Sequence, residues 1–112
     1  MAPPTDAPGG MREDAAMPTF AVQYTYDARH DRQAAVRPEH RAYLRSLAVD
    51  GSLLGSGPYT EGAPGALLVF RARDRATLDE LLAGDPFALA GLITATTVRT
   101  WDVVLGPWSE QP

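Results

Sequence analysis

Two side chains set the chemical question in this sequence. His40 lies in the run Val36-Arg37-Pro38-Glu39-His40-Arg41-Ala42-Tyr43-Leu44, and Asp85 opens the turn Asp85-Pro86-Phe87. A free imidazole titrates near pH 6.5, so it takes up and releases a proton at neutral pH. A carboxylate on one ring nitrogen fixes the tautomer and stabilises the imidazolium, which makes the other nitrogen a better base. Such a pair suits abstraction of a proton next to a carbonyl, or elimination of a leaving group. A plainer alternative stands beside it: a histidine satisfied within the core and an aspartate that only caps a helix before proline. Paired in that way, the two would tie helix ends together without turnover.

Competing chemistries are few. The chain has no cysteine, and every one of its ten basic residues is arginine. A thiol nucleophile, a cysteine zinc site and an iron–sulfur cluster are therefore excluded. So are a lysine Schiff base and a P-loop, which needs its lysine on the phosphates. Gly55-Ser56-Gly57 lacks the spacing of a nucleophile elbow, so Ser56 is no hydrolase nucleophile. His30 with Asp27 and Asp31 offers three ligands from one charged loop, a weak signal, and no metal site is expected. The net charge of −4 comes with interspersed signs and no basic stripe, which gives nucleic-acid binding no electrostatic support. No apolar window approaches the roughly 20 residues of a membrane span, and the N-terminus lacks the basic and hydrophobic regions of a signal peptide. A cytoplasmic protein is expected.

The elements that must position the pair can be read from periodicity. Residues 1–17 are rich in Pro, Gly and Ala and are expected to form a disordered N-terminal extension; residues 18–108 form the domain and 109–112 a tail. Thr19 to Tyr26 reads as a strand with Phe20, Val22, Tyr24 and Tyr26 on one face. Asp27 to Arg32 reads as a loop, and a helix is expected from Pro38, in its first turn, to an exit at Gly51. On that helix His40, Tyr43, Leu44 and Leu47 form one stripe, with His40 near the N-terminal end and Arg41 and Arg45 turned outward.

Ser52 to Ser56 is a short extended segment closed by Gly57-Pro58, and Gly65 to Arg71 has the continuous apolar texture of a central strand. Asp74 caps a second helix with Leu78, Leu81 and Leu82 inward and Gly84 at its exit. Asp85-Pro86 restarts a turn through Phe87, Leu89 and Leu92, and Thr94 to Leu105 reads as a long last strand. The order β-α-β-β-α-β is the α+β, ferredoxin-like arrangement, an antiparallel sheet with both helices on one face. Phe20, Val22, Tyr24 and Tyr26 on one side, with bulky residues on both sides of the last strand, leave too much apolar surface for a wet second face, so a two-fold homodimer packed sheet to sheet is expected.

Three blocks together resemble the YCII (YciI-like) family: Val36-Arg37-Pro38-Glu39-His40, then Gly51-Ser52-Leu53-Leu54-Gly55-Ser56-Gly57-Pro58, then Asp85-Pro86-Phe87-Ala88-Leu89-Ala90-Gly91-Leu92. The resemblance implies a dimeric α+β barrel whose histidine–aspartate pair maps onto His40 and Asp85. Arg37, Ser56, Gly57, Pro58, Pro86 and Phe87 match the family's blocks around the same cavity. The family is similar to muconolactone isomerase-type barrels, and one branch is associated with dehydrochlorination of chlorinated hydroxyquinols. The N-terminal extension departs from it.

Taken together, the residues and the resemblance predict His40 and Asp85 as an acid–base pair acting without cofactor on a small aromatic or lactone-like organic acid. Tyr24, Arg37, Ser56, Gly57, Pro58 and Phe87 are the expected binding residues. Arg37 would grip a carboxylate or phenolate with two hydrogen bonds, and Ser56 would donate to an oxyanion where Gly57 lets the backbone come close. Tyr24, Tyr26, Tyr43, Phe87 and Trp101 either line a flat-ring pocket or are plain core. The alternatives are a non-catalytic small-molecule-binding or accessory subunit with the same pocket, and haem binding through His40.

Overall fold

The computed structural model describes residues 17–109. Seven elements follow one another: β1 (Thr19–Tyr26), α1 (His30–Val49), β2 (Leu53–Pro58), β3 (Gly65–Arg71), α2 (Arg75–Ala83), α3 (Pro86–Leu89) and β4 (Ile93–Thr100). The strands form one antiparallel sheet in the order β2-β3-β1-β4. This is the α+β, ferredoxin-like order expected from the sequence, and α3 is the restarted turn at Asp85.

The two-residue period of the central strands decides which face is packed. Phe20, Val22 and Tyr24 of β1 lie beside Ala66, Leu68 and Phe70 of β3, all buried and all on the helix side. Leu44 and Leu47 from α1 and Leu78 from α2 close over them. Each such side chain removed from water contributes about 1.5–3 kcal/mol, which holds the helices on this face. Gly65 opens β3 because a Cβ there would collide with the Tyr24 carbonyl oxygen across the strand pair. The opposite face carries Leu67 on β3, with Trp101 and Trp108 from the segment after β4, and Leu67 and Trp101 are exposed.

Helix α1 begins at His30, not near Pro38, and Pro38 stands inside it. The charged run from Asp27 concealed the start because its polar groups serve the turn. Asp27 accepts the Arg29 N–H on Oδ1, the Gln33 amide reaches both Oδ1 and the Asp27 carbonyl, and the Arg29 guanidinium pairs with Oδ2. Proline removes one helical hydrogen bond, from the carbonyl four residues earlier. Ala34 and Pro38 are both exposed, so water reaches that carbonyl. His40 consequently lies mid-helix, on a buried stripe of Gln33, Val36, His40, Leu44 and Leu47. The exit is as expected: Gly51 has φ +90° and its N–H donates to the Ala48 carbonyl.

The last strand is shorter than its sequence suggests. Trp101 N–H still donates to the Thr19 carbonyl at 2.7 Å, but β1 starts there and offers no further partner. Val103, Val104 and Leu105 therefore leave the sheet. Conversely β2 runs on through Gly57 and Pro58, which an edge strand tolerates because its outer N–H groups need no partner. The expected N-terminal extension falls outside the described residues except Met17, and the expected tail except Ser109.

Candidate functional site

Asp85 is where three segments meet. Its backbone is extended at φ −67° and ψ 126°, its side chain caps α3, and Pro86 follows at the first helical position. Oδ1 accepts the Phe87 N–H at 2.9 Å and contacts His40 Nδ1 at 2.7 Å; Oδ2 accepts the Tyr24 hydroxyl at 3.1 Å. The carboxyl group is only 1% exposed, and a buried carboxylate must be met by donors on both oxygens. A main-chain N–H can only donate, and with it on Oδ1 the short contact to the imidazole is that of an Nδ1–H donating to a carboxylate.

Tyr24 reaches Asp85 because it projects from the core face of β1. Burial, and next the charge of Asp85, push its phenol far above the ordinary tyrosine range, so it remains a donor. Phe87 fixes the plane of the imidazole: the rings stack with centroids 3.9 Å apart and planes within 6°. Tyr26 meets the Phe87 ring edge-on at 5.3 Å. Nδ1 is thus engaged and the ring cannot swing, which leaves Nε2. No hydrogen bond to Nε2 is formed among the described residues, and His40 faces a cavity of about 470 Å³.

That cavity opens between α1 and β2. Arg37, His40, Arg41 and Leu44 form the α1 wall, and Ser56, Gly57 and Pro58 of β2 face them. Leu68 of β3 and the rings of Tyr26 and Phe87 complete it. Its volume is that of a site for a small organic molecule. Among the described residues no carboxylate pairs with Arg37 or Arg41. Tyr26 is pushed up to about 12, mainly by burial and then by Asp85, while the two guanidiniums pull it back. Its phenol therefore enters the cavity protonated, as a hydrogen-bond donor.

The sequence-derived residues divide cleanly. His40 and Asp85 are brought together, and Arg37, Ser56, Gly57, Pro58 and Phe87 line the cavity beside them. Tyr24 does not line it; it stands behind Asp85 as a support. Ser56 pairs opposite Leu68, so its side chain shares the cavity face, whereas Gly57 pairs opposite Leu67 and contributes only backbone. Arg41, expected to point into solvent, borders the cavity, since the helix turns the residue after His40 along its rim. Tyr43 instead donates to the Leu81 carbonyl at 2.7 Å, and Trp101 lies on the opposite sheet face against Trp108. His30 starts α1, and Asp27 beside it is taken up by Arg29 and Gln33. Among the described residues no three histidine or carboxylate side chains converge, and no helix is long and apolar enough to cross a membrane.

Solved structures share this architecture. The chain superposes on 5-chloro-2-hydroxyhydroquinone dehydrochlorinase (TftG) from Burkholderia phenoliruptrix AC1100, in complex with 2,5-dihydroxybenzoquinone, with a TM-score of 0.67 at 23% identity, covering 74% of this chain and 92% of that one. PA3566 from Pseudomonas aeruginosa matches with a TM-score of 0.52 at 15% identity, over 79% and 94% of the two chains. An uncharacterized NIPSNAP-like domain protein from Burkholderia xenovorans gives 0.52 at 20% identity, over 87% and 90%. No curated protein matches the sequence. The YCII-related domain model matches residues 17–102, most of the chain, and the protein therefore belongs to the YCII-related family.

Proposed function

We propose that this protein is a cofactor-independent acid–base enzyme whose base is His40 Nε2, oriented by Asp85. The observation that carries this reading is the 2.7 Å contact between His40 Nδ1 and a fully buried Asp85, on a histidine that lines a cavity. Nε2 would take a proton from carbon or oxygen of the substrate, and the imidazolium that forms is stabilised by the carboxylate. Charge then developing on a substrate oxygen meets Tyr26, Ser56 and the guanidiniums of Arg37 and Arg41. The same step, followed by departure of a leaving group with its electron pair, is an elimination. The dehydrochlorinase neighbour makes chlorinated hydroxyquinols the first substrates to try. Lactone-like and aromatic acids are the wider class, since Arg37 and Arg41, with no carboxylate partner among the described residues, favour an anion.

The reading includes a cytosolic two-fold homodimer of the domain at residues 18–108, followed by the short tail at 109–112, with the exposed Leu67 and Trp101 face of each sheet at the interface. A second reading has one observation in its favour. Asp85 already caps α3 and holds Tyr24, so the pair would also serve as a strut in a non-catalytic binding subunit.

A substrate screen on wild type and His40→Ala decides between them, using chlorinated hydroxyquinols, lactones and aromatic acids. Turnover by wild type that falls at least about 100-fold in the variant supports the enzyme. Equal turnover by both, or none by either across these classes, removes it.

A further inference from the structure

The catalytic cavity does not end at Leu44. A second hollow of about 280 Å³ continues from it along the same α1–β2 cleft, and the two share Arg41, Leu44 and Ser56. Beyond those shared residues its walls are Ala48 from α1 and Leu53 and Leu54 from β2, with Arg45 at the rim. Arg37, Arg41 and Arg45 recur at i, i+4 and i+8, so they step along one edge of the helix beside both compartments. Among the described residues none of the three is paired with a carboxylate. Eight residues of α-helix advance about 12 Å, which sets the backbone spacing between Arg37 and Arg45.

We infer that the ligand is an elongated acid: a reactive, ring-sized head beside His40, an apolar arm along Leu44 and Leu54, and a terminal carboxylate at Arg45. The inference rests on the proposed role of the His40 cavity and adds the shape and charge of what enters it. A compact ring alone would leave the second compartment and its arginine unused. An arm of about four or five methylenes lets a ring beside His40 reach Arg45. Its methylenes leave water as they pass Leu44 and Leu54, at about fourfold in affinity for each one buried.

The test is a calorimetric binding series of ω-(4-hydroxyphenyl)alkanoates, from one methylene to six, with their methyl esters, on wild type, Arg45→Gln and His40→Asn. The expected result is a Kd that tightens with each methylene to an optimum near four or five. At that length the acid should exceed its ester by about tenfold in wild type, and this ratio should collapse toward one in Arg45→Gln while persisting in His40→Asn. A flat series, an acid-to-ester ratio unaffected by Arg45→Gln, or no binding by any member would overturn the inference. Its failure is distinguishable from failure of the catalytic reading. A flat series with His40-dependent turnover sinks the arm and keeps the pair; a steep series without turnover does the reverse.

Discussion

The imidazole of His40 lies flat on the ring of Phe87, centroids 3.9 Å apart, while the Phe87 main-chain N–H and His40 Nδ1 converge on the same oxygen of Asp85. One short turn therefore sets both the plane of the imidazole and the direction of its hydrogen bond. A residue that only filled the core would need neither constraint. The arrangement separates what the carboxylate does for the fold from what it does for the histidine, because an amide preserves the first more fully than the second.

Asp85→Asn should stay folded and lose about 10²–10⁴-fold in kcat/KM, the usual worth of a positioned proton-transfer group. Asp85→Ala should lose the same activity and also the α3 cap and the buried partner of Tyr24, a cost of about 3–5 kcal/mol. Urea unfolding beside steady-state kinetics checks both. An Asp85→Asn protein as active as wild type would reduce the pair to a strut.

Tyr24→Phe removes the donor from Asp85 Oδ2 and leaves a buried acceptor unmet. The expected destabilisation is about 1–3 kcal/mol, read from the urea midpoint. A change below about half a kcal/mol would mean that the hydroxyl supports nothing.

Alkali should weaken the fold through the two tyrosines. Burial, and after it the charge of Asp85, raises both phenols; Tyr26 reaches about 12 against an ordinary 10. A group raised in the folded state contributes stability that is complete below its unfolded value and is lost as pH climbs toward the folded one. Melting temperature should therefore hold up to about pH 10 and fall between about 10 and 12. Tyr26→Phe should make that fall shallower. Identical slopes for variant and wild type would contradict the burial argument.

At the acid end the sign reverses. The Gln33 amide first, then Arg29, holds the Asp27 carboxyl below the usual carboxylate range, which stabilises the turn leading into α1 above the unfolded value and ceases to as pH falls through the folded one. Asp27→Asn should flatten the acid limb of the melting curve, measured by circular dichroism; an unchanged limb would contradict it.

The glycines of the sheet offer a steric contrast. Gly65→Ala drives a Cβ into the Tyr24 carbonyl, whereas a Cβ at Gly57 meets nothing within 4 Å. The first should cost at least about 1–3 kcal/mol and the second stay within about half a kcal/mol, by thermal or urea unfolding. Equal effects would mean that β1 and β3 are not as closely apposed as described.

Much of this was legible in the residues. Alternation put Phe20, Val22 and Tyr24 on one face, and the resemblance of the blocks around His40 and Asp85 to the YCII family implied a shared cavity. What escaped was where local rules compete with tertiary partners. Proline at a helix start is a good rule, yet Pro38 is interior because water serves the carbonyl it orphans, and Gln33 and Val36 extend the buried stripe upstream of it. Val103 to Leu105 alternate like a strand but outrun β1, and no periodicity records the length of a neighbour. Charge on a helix usually faces solvent, which is what the sequence predicts for Arg41; its place at the rim depends on β2 across the cleft. Tyr24, expected as a pocket residue or as plain core, donates to Asp85 from behind the cavity, a place set by the depth of Asp85.

Nitrogen-15 NMR of His40 at a pH where the ring is neutral tests the central claim most directly, because it reads which ring nitrogen carries the proton. The account expects a protonated Nδ1 with Nε2 as the bare, accepting nitrogen, and loss of that preference in Asp85→Ala, which removes the accepting oxygen. A proton found on Nε2 with Nδ1 bare would place the acid hydrogen on Asp85, leave no base facing the cavity, and contradict the mechanism.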